Sequence, residues 1–500
     1  MADIRHRPDD SPRLSLSSLA RLRSGVRAPS YDPAQCRIGI VHLGVGGFHR
    51  AHQAAHIDAA LAAGESGWAI SGWSLRSHSI SEALSPQDGL YTLLVREASA
   101  TQAQVLAPIR EIGCASASPN RLIQRLASPD TRIVSLTITE KGYCVAPDGG
   151  PDQEAPGIAS DLADANPPLT ALGWMAAGLR ARKALAPRAA LTVISCDNLS
   201  ANGRTLARVL DRFIRLRGEA PLADWVARQV SFPDSMVDRI VPATTATERN
   251  LAADLTGCLD AWPVATEPFT QWVIEDRFAA GRPRLEASGV QFSDDVAGWE
   301  QMKLRLLNAA HSTIAYLGVS AGWATVDAAI AHAPLEALVR RLWRDEATPA
   351  LAASLRPQAP VYCDRLLARF KNPALAHRTL QIAADGTKKI PLRWLPTITA
   401  LAAEGRRWPC LALALAAWIR CLSGTDDQGR PVMLDDPLAT SLAPHAALAD
   451  PARAVRAVLG AVPALHPLAA RDDACNAIAQ ALDALRRLGA EAAIAEAIRS

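Results

Sequence analysis

Residues 303–311 read Lys-Leu-Arg-Leu-Leu-Asn-Ala-Ala-His, so a lysine, an asparagine and a histidine interrupt an otherwise apolar run. Polar groups on a core-facing helix are costly to bury unless they have partners or a task. At roughly 100° per residue, Lys303, Asn308 and His311 fall within an arc of about 140° on an α-helix and can converge on one small molecule. Arg305 falls outside that arc, where solvent or another partner would take it. The set suits removal of a proton from a secondary alcohol while hydride leaves the same carbon. A neutral lysine can take that proton if burial or nearby positive charge brings its pKa from about 10.4 toward about 7–8. Asn308 and His311 would then hold the developing alkoxide by hydrogen bonds, with no metal required. Taken alone, the stretch fits better a surface lysine on an amphipathic helix, with Asn308 and His311 as incidental polar positions. The flanking segments favour chemistry.

Such a base needs a hydride carrier opposite it. Residues 37–43 form a short apolar run that reads as a buried strand, followed by Gly44-Val45-Gly46-Gly47 and a helical pattern from Phe48 to about Ala63. In a dinucleotide-binding turn the first glycine permits the tight bend, and the second lets the backbone approach the pyrophosphate. The position of the usual third glycine holds His49. A short Gly-x-Gly can serve shape alone, but its place after a first strand favours a nucleotide. No acidic residue follows the second strand, which ends Leu75-Arg76-Ser77-His78. Arg76 either pairs with a 2′-phosphate, favouring NADP, or is solvated, so NAD and NADP both stay open. His49, His52 and His56 share one helical face and could in principle ligate zinc. No acidic or cysteine ligand accompanies them, and hydrogen bonding to the cofactor region or neighbouring loops is the preferred reading.

The scaffold follows from the same patterns. Residues 68–75, 131–139 and 190–196 read as strands, with a helix near 170–184 before the last of them. Strands alternating with helices argue for a parallel sheet covered on both faces. Residues 148–168, rich in Pro, Gly and Asp, read as a surface loop. After about residue 290 helical patterns dominate, at 300–318, 335–343, 347–355, 398–422 and 474–499, with Pro409 breaking or kinking the fourth. The expected organisation is a polar extension over 1–30, a dinucleotide-binding α/β domain over 31–290, and a helical substrate and catalytic domain over 291–500. Apolar residues make up 49% and charged residues 21% of the chain, as in a globular protein with a large core. A net charge of +3 gives no support for a nucleic-acid partner. Nine scattered cysteines, an odd number without paired spacing, fit a reducing compartment better than a disulfide framework. No uninterrupted apolar stretch of about eighteen residues suggests a membrane span, and residues 1–30 lack the apolar core of a secretory signal. A cytoplasmic protein, monomeric or a small homo-oligomer, is expected.

Between the glycine turn and the lysine, further motifs occur in order: Thr137-Ile138-Thr139-Glu140-Lys141-Gly142-Tyr143, Ser195-Cys196-Asp197-Asn198, Val237-Asp238-Arg239-Ile240-Val241-Pro242 and Glu267-Pro268-Phe269. With the turn Gly44-Val45-Gly46-Gly47-Phe48-His49-Arg50-Ala51-His52-Gln53 and the lysine helix, they resemble the polyol-specific long-chain dehydrogenases, the mannitol 2-dehydrogenase and fructuronate reductase family, from about residue 36 to 395. The resemblance implies a Rossmann-type domain followed by a helical domain. It also implies a metal-independent reaction between a polyol or sugar acid and the matching ketose, with NAD or possible NADP. Lys303 would be the general base, with Asn308, Asn198 and His311 about the reacting oxygen, and Asp238 and Lys389 would bind substrate. Glu140 and Glu300 match residues of a proton path, and Gly44, Gly46, Phe48, His49, Arg50 and Arg76 would hold the cofactor. The mannitol enzymes carry an arginine eight positions before the substrate lysine, where this chain has Gln381, in a pattern closer to the sugar-acid and arabinitol branches. A ketouronate carboxylate would need a cation, and Arg378, Lys388 or Arg393 could supply it. Mannitol, mannonate and arabinitol therefore stay open as substrates. A 3-hydroxyacid dehydrogenase and a non-catalytic nucleotide sensor are less well matched to the motifs.

Overall fold

A computed structural model describes residues 11–164, 166–375 and 377–499. The chain divides into two compact units between Ala297 and Gly298. The strands of the first are β1 (Ile38–Leu43), β2 (Ala69–Ser74), β3 (Tyr91–Arg96), β4 (Thr101–Leu106), β5 (Ile109–Cys114), β6 (Ile133–Leu136), β7 (Leu191–Ser195), β8 (Val230–Ser231), β9 (Ser235–Asp238), β10 (Val264–Thr266), β11 (Gln271–Ile274) and β12 (Gln291–Phe292).

Six of these strands form one sheet in the order β5-β2-β1-β6-β7-β8, and all its pairings are parallel. Every residue of β6 and β7 is buried, as strands covered on both faces require. The chain leaves β1 toward β2 on one side and returns to β6 on the other. The crevice for a ligand therefore opens beyond the carboxyl ends of β1 and β6. The smaller sheets, β10-β3-β4 and β12-β11-β9, come from stretches whose periodicity had not marked them as strands. Residues 11–30, expected as a polar extension, pack onto this unit. Leu14 is fully buried and its N–H donates to Leu259 O at 2.9 Å, while Arg27 pairs along β4 through Ala103 and Val105. Residues 1–10 of that extension lie outside the described residues.

The expected continuous helix after the glycine turn is broken at His52 into Gly47–Ala51 and Gln53–Ala62. The His52 ring explains the break, because Nε2 donates to Gln271 O at 2.9 Å and the ring stacks on Phe48. His56 pairs with Ser288 Oγ at 3.0 Å and Thr270 Oγ1 at 3.1 Å. His49 lies flat on His42, with ring centroids 3.3 Å apart. His42 in turn meets Ser135 Oγ at 2.8 Å and Thr137 Oγ1 at 3.0 Å. The histidines thus tie the turn to the sheet and to the β9–β12 layer.

The second unit is helical. Its core helices, Ala309–Ala321 and Pro409–Leu422, are buried almost all round, as helices inside a large core must be. Pro409 opens the second of these at its first turn, where its missing N–H costs nothing, and the preceding helix, Leu395–Ala403, is separate. The helix expected over 347–355 does not form. Helix Ala333–Arg341 runs instead into a π-helical turn, Leu342–Ala347, and ends before Pro349, which disfavours helix in the residue before it. The pattern over 474–499 forms two helices, Asp472–Leu488 and Ala490–Arg499. Among the described residues no helix is long and apolar enough to cross a membrane.

Two tests follow from the first unit. Gly44 has φ +99°, and a Cβ there would sit 2.1 Å from Thr137 O. Gly44→Ala should lower stability in urea unfolding by at least about 1–3 kcal/mol, and an unchanged midpoint would show that the turn relaxes freely. Burial holds His42 down to about 3 and His56 to about 4, and holds His49 well below the ordinary histidine value. These rings stay neutral when folded but take protons at about pH 6.5 when unfolded. The stability they contribute is present above pH 6.5 and is lost as pH falls toward the folded values, by about 2 kcal/mol each for His42 and His56 at pH 5. Melting curves from pH 7 to pH 5 should fall less steeply for His56→Gln than for the wild type, and parallel slopes would contradict the assignment.

Candidate active site

In the first unit β1 delivers the chain to Gly44, whose carbonyl accepts from Thr137 Oγ1 at 2.7 Å and so joins the ends of β1 and β6. A Cβ at Gly46 would meet nothing closer than 3.9 Å, so this backbone faces open space. A cleft of about 700 Å³ opens here. Gly44, Gly46, Arg50 and Arg76 line it, together with Ser77, Ser79 and Lys141. Phe48 and His49 are not among its walls, since His49 is 1% exposed and turned onto His42. Arg50 braces the wall rather than projecting from it. Its guanidinium donates to Trp262 O and lies 5.4 Å from the Tyr91 ring, and Tyr91 Oη donates to Arg50 O at 2.7 Å. Arg76 is exposed at the end of β2.

The ordered motifs brace this cleft. Asp197 accepts from Ile138 N at 2.9 Å, Thr139 N at 3.0 Å and Tyr143 Oη at 2.7 Å, holding the loop after β6. Burial raises the Asp197 carboxyl above its ordinary value, against the pull of these donors. Asn202 donates to Ser195 O at 3.0 Å and Ser235 O at 2.9 Å, fastening the end of β7 to the start of β9. Arg239 donates to Glu267 O at 3.0 Å and to Ala51 O, while Glu267 Oε1 accepts from Ile240 N at 2.7 Å. Asp197 and Arg239 sat inside motifs read for their neighbours, and Asn202 carried no sequence signal. Asn198 is exposed just beyond β7, and Asp238 is buried at the end of β9 opposite Gln271. Glu140 is exposed in the short 3-10 turn Glu140–Tyr143.

In the second unit, Lys303–Asn308 is a π-helical turn between helices Val296–Met302 and Ala309–Ala321. Ala309 N–H donates to Leu304 O, five residues back. The insertion changes the phase on which Lys303 and Asn308 meet. On an α-helix residues five apart are about 140° out of step, whereas an i→i+5 turn brings them nearly into line. His311 follows three residues later on the α-helix. A widened turn leaves carbonyls to be satisfied from outside. Trp343 Nε1 donates to Leu306 O at 2.8 Å, Trp394 Nε1 to Ala309 O at 3.1 Å, and Arg393 Nη1 approaches Asn308 O at 3.5 Å. Lys303 is buried at 8% exposure, and Asn308 is half-buried. Glu300 is half-buried one turn before Lys303. Arg305 is half-buried rather than solvated, and burial lowers its pKa.

Around His311 the surroundings are cationic. Its ring stacks 5.4 Å from Phe370 and meets the His377 ring edge-on at 5.0 Å. Burial first, then His377, Arg393, Arg369 and Lys389, hold His311 well below the ordinary histidine value, which keeps its imidazole neutral. Burial and Arg393 also lower the Lys389 ammonium. Lys389 Nζ lies 3.4 Å from Ile382 O, and Arg393 Nη1 donates to Ser312 Oγ at 2.7 Å. Of the other cations considered for an anionic substrate, Arg378 is exposed and Lys388 is exposed beside Asp385, 3.7 Å away. Gln381 is exposed on the short helix Thr379–Ile382.

Residues 38–287 match the mannitol dehydrogenase Rossmann domain, and residues 295–486 match the mannitol dehydrogenase C-terminal domain. The chain is 39% identical over 447 residues to a mannitol 2-dehydrogenase of Pyrenophora tritici-repentis, covering 88% of this chain and 79% of that protein. It is 38% identical over 445 residues to the D-mannonate oxidoreductase of Escherichia coli, covering 87% and 90%. Among solved structures it is similar to Pseudomonas fluorescens mannitol 2-dehydrogenase in ternary complex with NAD and D-mannitol. That likeness has a TM-score of 0.84 at 38% identity, over 98% of this chain and 100% of the other. A D-sorbitol dehydrogenase in substrate-free form gives a TM-score of 0.89 at 32% identity, over 96% and 100%. With the sheet and glycine turn in one matched domain and the lysine helix in the other, the chain belongs to the mannitol dehydrogenase family of NAD-dependent polyol oxidoreductases.

Proposed function

We propose that this enzyme interconverts a secondary alcohol of an open-chain polyol or sugar acid with the matching ketone, using NAD or NADP. The observation that carries the proposal is the widened turn that puts buried Lys303 in line with Asn308, one turn before a neutral His311. Lys303 takes the hydroxyl proton in oxidation and returns it in reduction. Asn308 and His311 donate to the oxygen as it gains negative charge. Lys389 holds the far end of the substrate, and Glu300 passes the proton on. Support from relatives comes from a mannitol 2-dehydrogenase and a D-mannonate oxidoreductase at nearly equal identity.

The first unit suits a dinucleotide. Gly44 and Gly46 keep side chains out of the cleft at the β1–β6 crevice, and its volume of about 700 Å³ suits an extended ligand. Bound there, the nicotinamide would supply the hydride acceptor. Arg76, Ser77 and Ser79 stand near the end of β2 where a ribose-binding acid is common, an arrangement that admits a 2′-phosphate as well as a diol.

Lys303→Ala should lower kcat by about 10²–10⁴-fold while NADH binding, followed by quenching of its fluorescence, stays near wild type. Retention of the full rate would remove Lys303 from the mechanism.

A further inference from the structure

We infer that Arg393, supported by Lys389, pairs with a carboxylate at one end of the substrate, so that the preferred substrate is a sugar acid rather than a neutral polyol. The inference rests on the oxidoreductase reading above and narrows it.

Lys389 and Arg393 stand four residues apart on helix Gly386–Arg393, the spacing that puts two side chains on one face. Both are half-buried, and both act electrostatically on His311. Like charges gathered this way repel, and a cation withdrawn from water needs an anion to offset the loss. Among the described residues neither forms an ion pair. Asp385, Asp435 and Asp436 act on Lys389 only through space. Asp385 faces Lys388 instead, and Asp436 accepts from Thr387 N at 2.7 Å and Thr387 Oγ1 at 2.8 Å.

Arg393 is bonded through one nitrogen, Nη1, to the neutral acceptors Ser312 Oγ and Asn308 O. Ser312 is fully enclosed, so its bond fixes the plane of the guanidinium beside the residues that flank Lys303. Nε and Nη2 hydrogen-bond to no described residue. Two N–H groups on one edge of a fixed guanidinium match the two oxygens of a carboxylate. A neutral hydroxymethyl end offers one acceptor and no charge, leaving both cations uncompensated. The exposed Arg378 and Lys388 lack this anchoring and keep their own solvent shell.

The test compares D-fructuronate, D-fructose and D-fructose 6-phosphate as substrates for reduction, with NADH and NADPH. The wild type should favour the ketouronate over fructose by about 10²-fold in kcat/KM. Arg393→Gln should collapse that ratio, chiefly through the KM for the ketouronate, and Arg393→Lys should restore part of it. A wild type that prefers fructose or the phosphate ester overturns the carboxylate assignment, as does an unchanged ratio in a folded Arg393→Gln variant. The wild-type comparison stands even if that variant fails to fold. Turnover of fructose alone, or of none of the three, would overturn the sugar-acid assignment and leave the oxidoreductase reading to its own test on other open-chain ketoses.

Discussion

The widened turn Lys303–Asn308 is the constraint on which the second unit is organised. Opening a helix by one residue leaves backbone carbonyls that the helix can no longer serve well, and inside a core there is no water to replace the lost donors. Three distant side chains do so. Trp343 comes from a second π-helical turn, and Arg393 and Trp394 come from the end of helix Gly386–Arg393 and the residue after it. The same contacts that satisfy the turn bring Arg393 next to Asn308 and leave Lys389 one helical turn away from it. Backbone satisfaction and the grouping of polar side chains about His311 are therefore one structural event.

The first unit solves a comparable problem with histidines and carboxylates. A glycine turn at the end of β1 must hold an unusual backbone without stiffening side chains of its own. Thr137 reaches it from β6, and His42 and His49 pack beneath it. Asp197 and Asn202 then fasten the loops that border the cleft. Polar groups that look like candidate ligands along the chain are here the internal braces of the cleft, and only the glycine backbone and a few side chains face it.

Electrostatics differ between the two regions. Burial keeps His42, His49 and His56 of the first unit neutral near pH 7, and His42 and His56 are hydrogen-bonded. Lys389 and Arg393 stand half-buried and form no ion pair among the described residues, a state that proteins seldom maintain unless a ligand completes it.

Much of this molecule was legible along the chain. The apolar, β-branched runs that became β1, β2, β6 and β7 announce a parallel sheet because strands buried on both faces have no polar side to show. The glycine pair marks the turn, and the motif order together with the lysine helix marks the family. Composition alone separates the α/β half from the helical half, although residues 11–30 join the first unit through backbone pairing that a polar sequence does not advertise. What only the tertiary structure decided depends on long-range contact. Helical periodicity assumes one pitch, so it could not register the extra residue at Lys303–Asn308, which is stabilised by tryptophans and an arginine from 37 to 85 residues away (Leu306 to Trp343, Asn308 to Arg393). The resemblance implied that His49 contacts the cofactor, whereas its ring packs against His42 of β1. Sequence left Arg378, Lys388 and Arg393 equivalent as cations. Burial and a single bond to Ser312 distinguish Arg393, because the cost of withholding a charge from water exists only once the chain has folded around it.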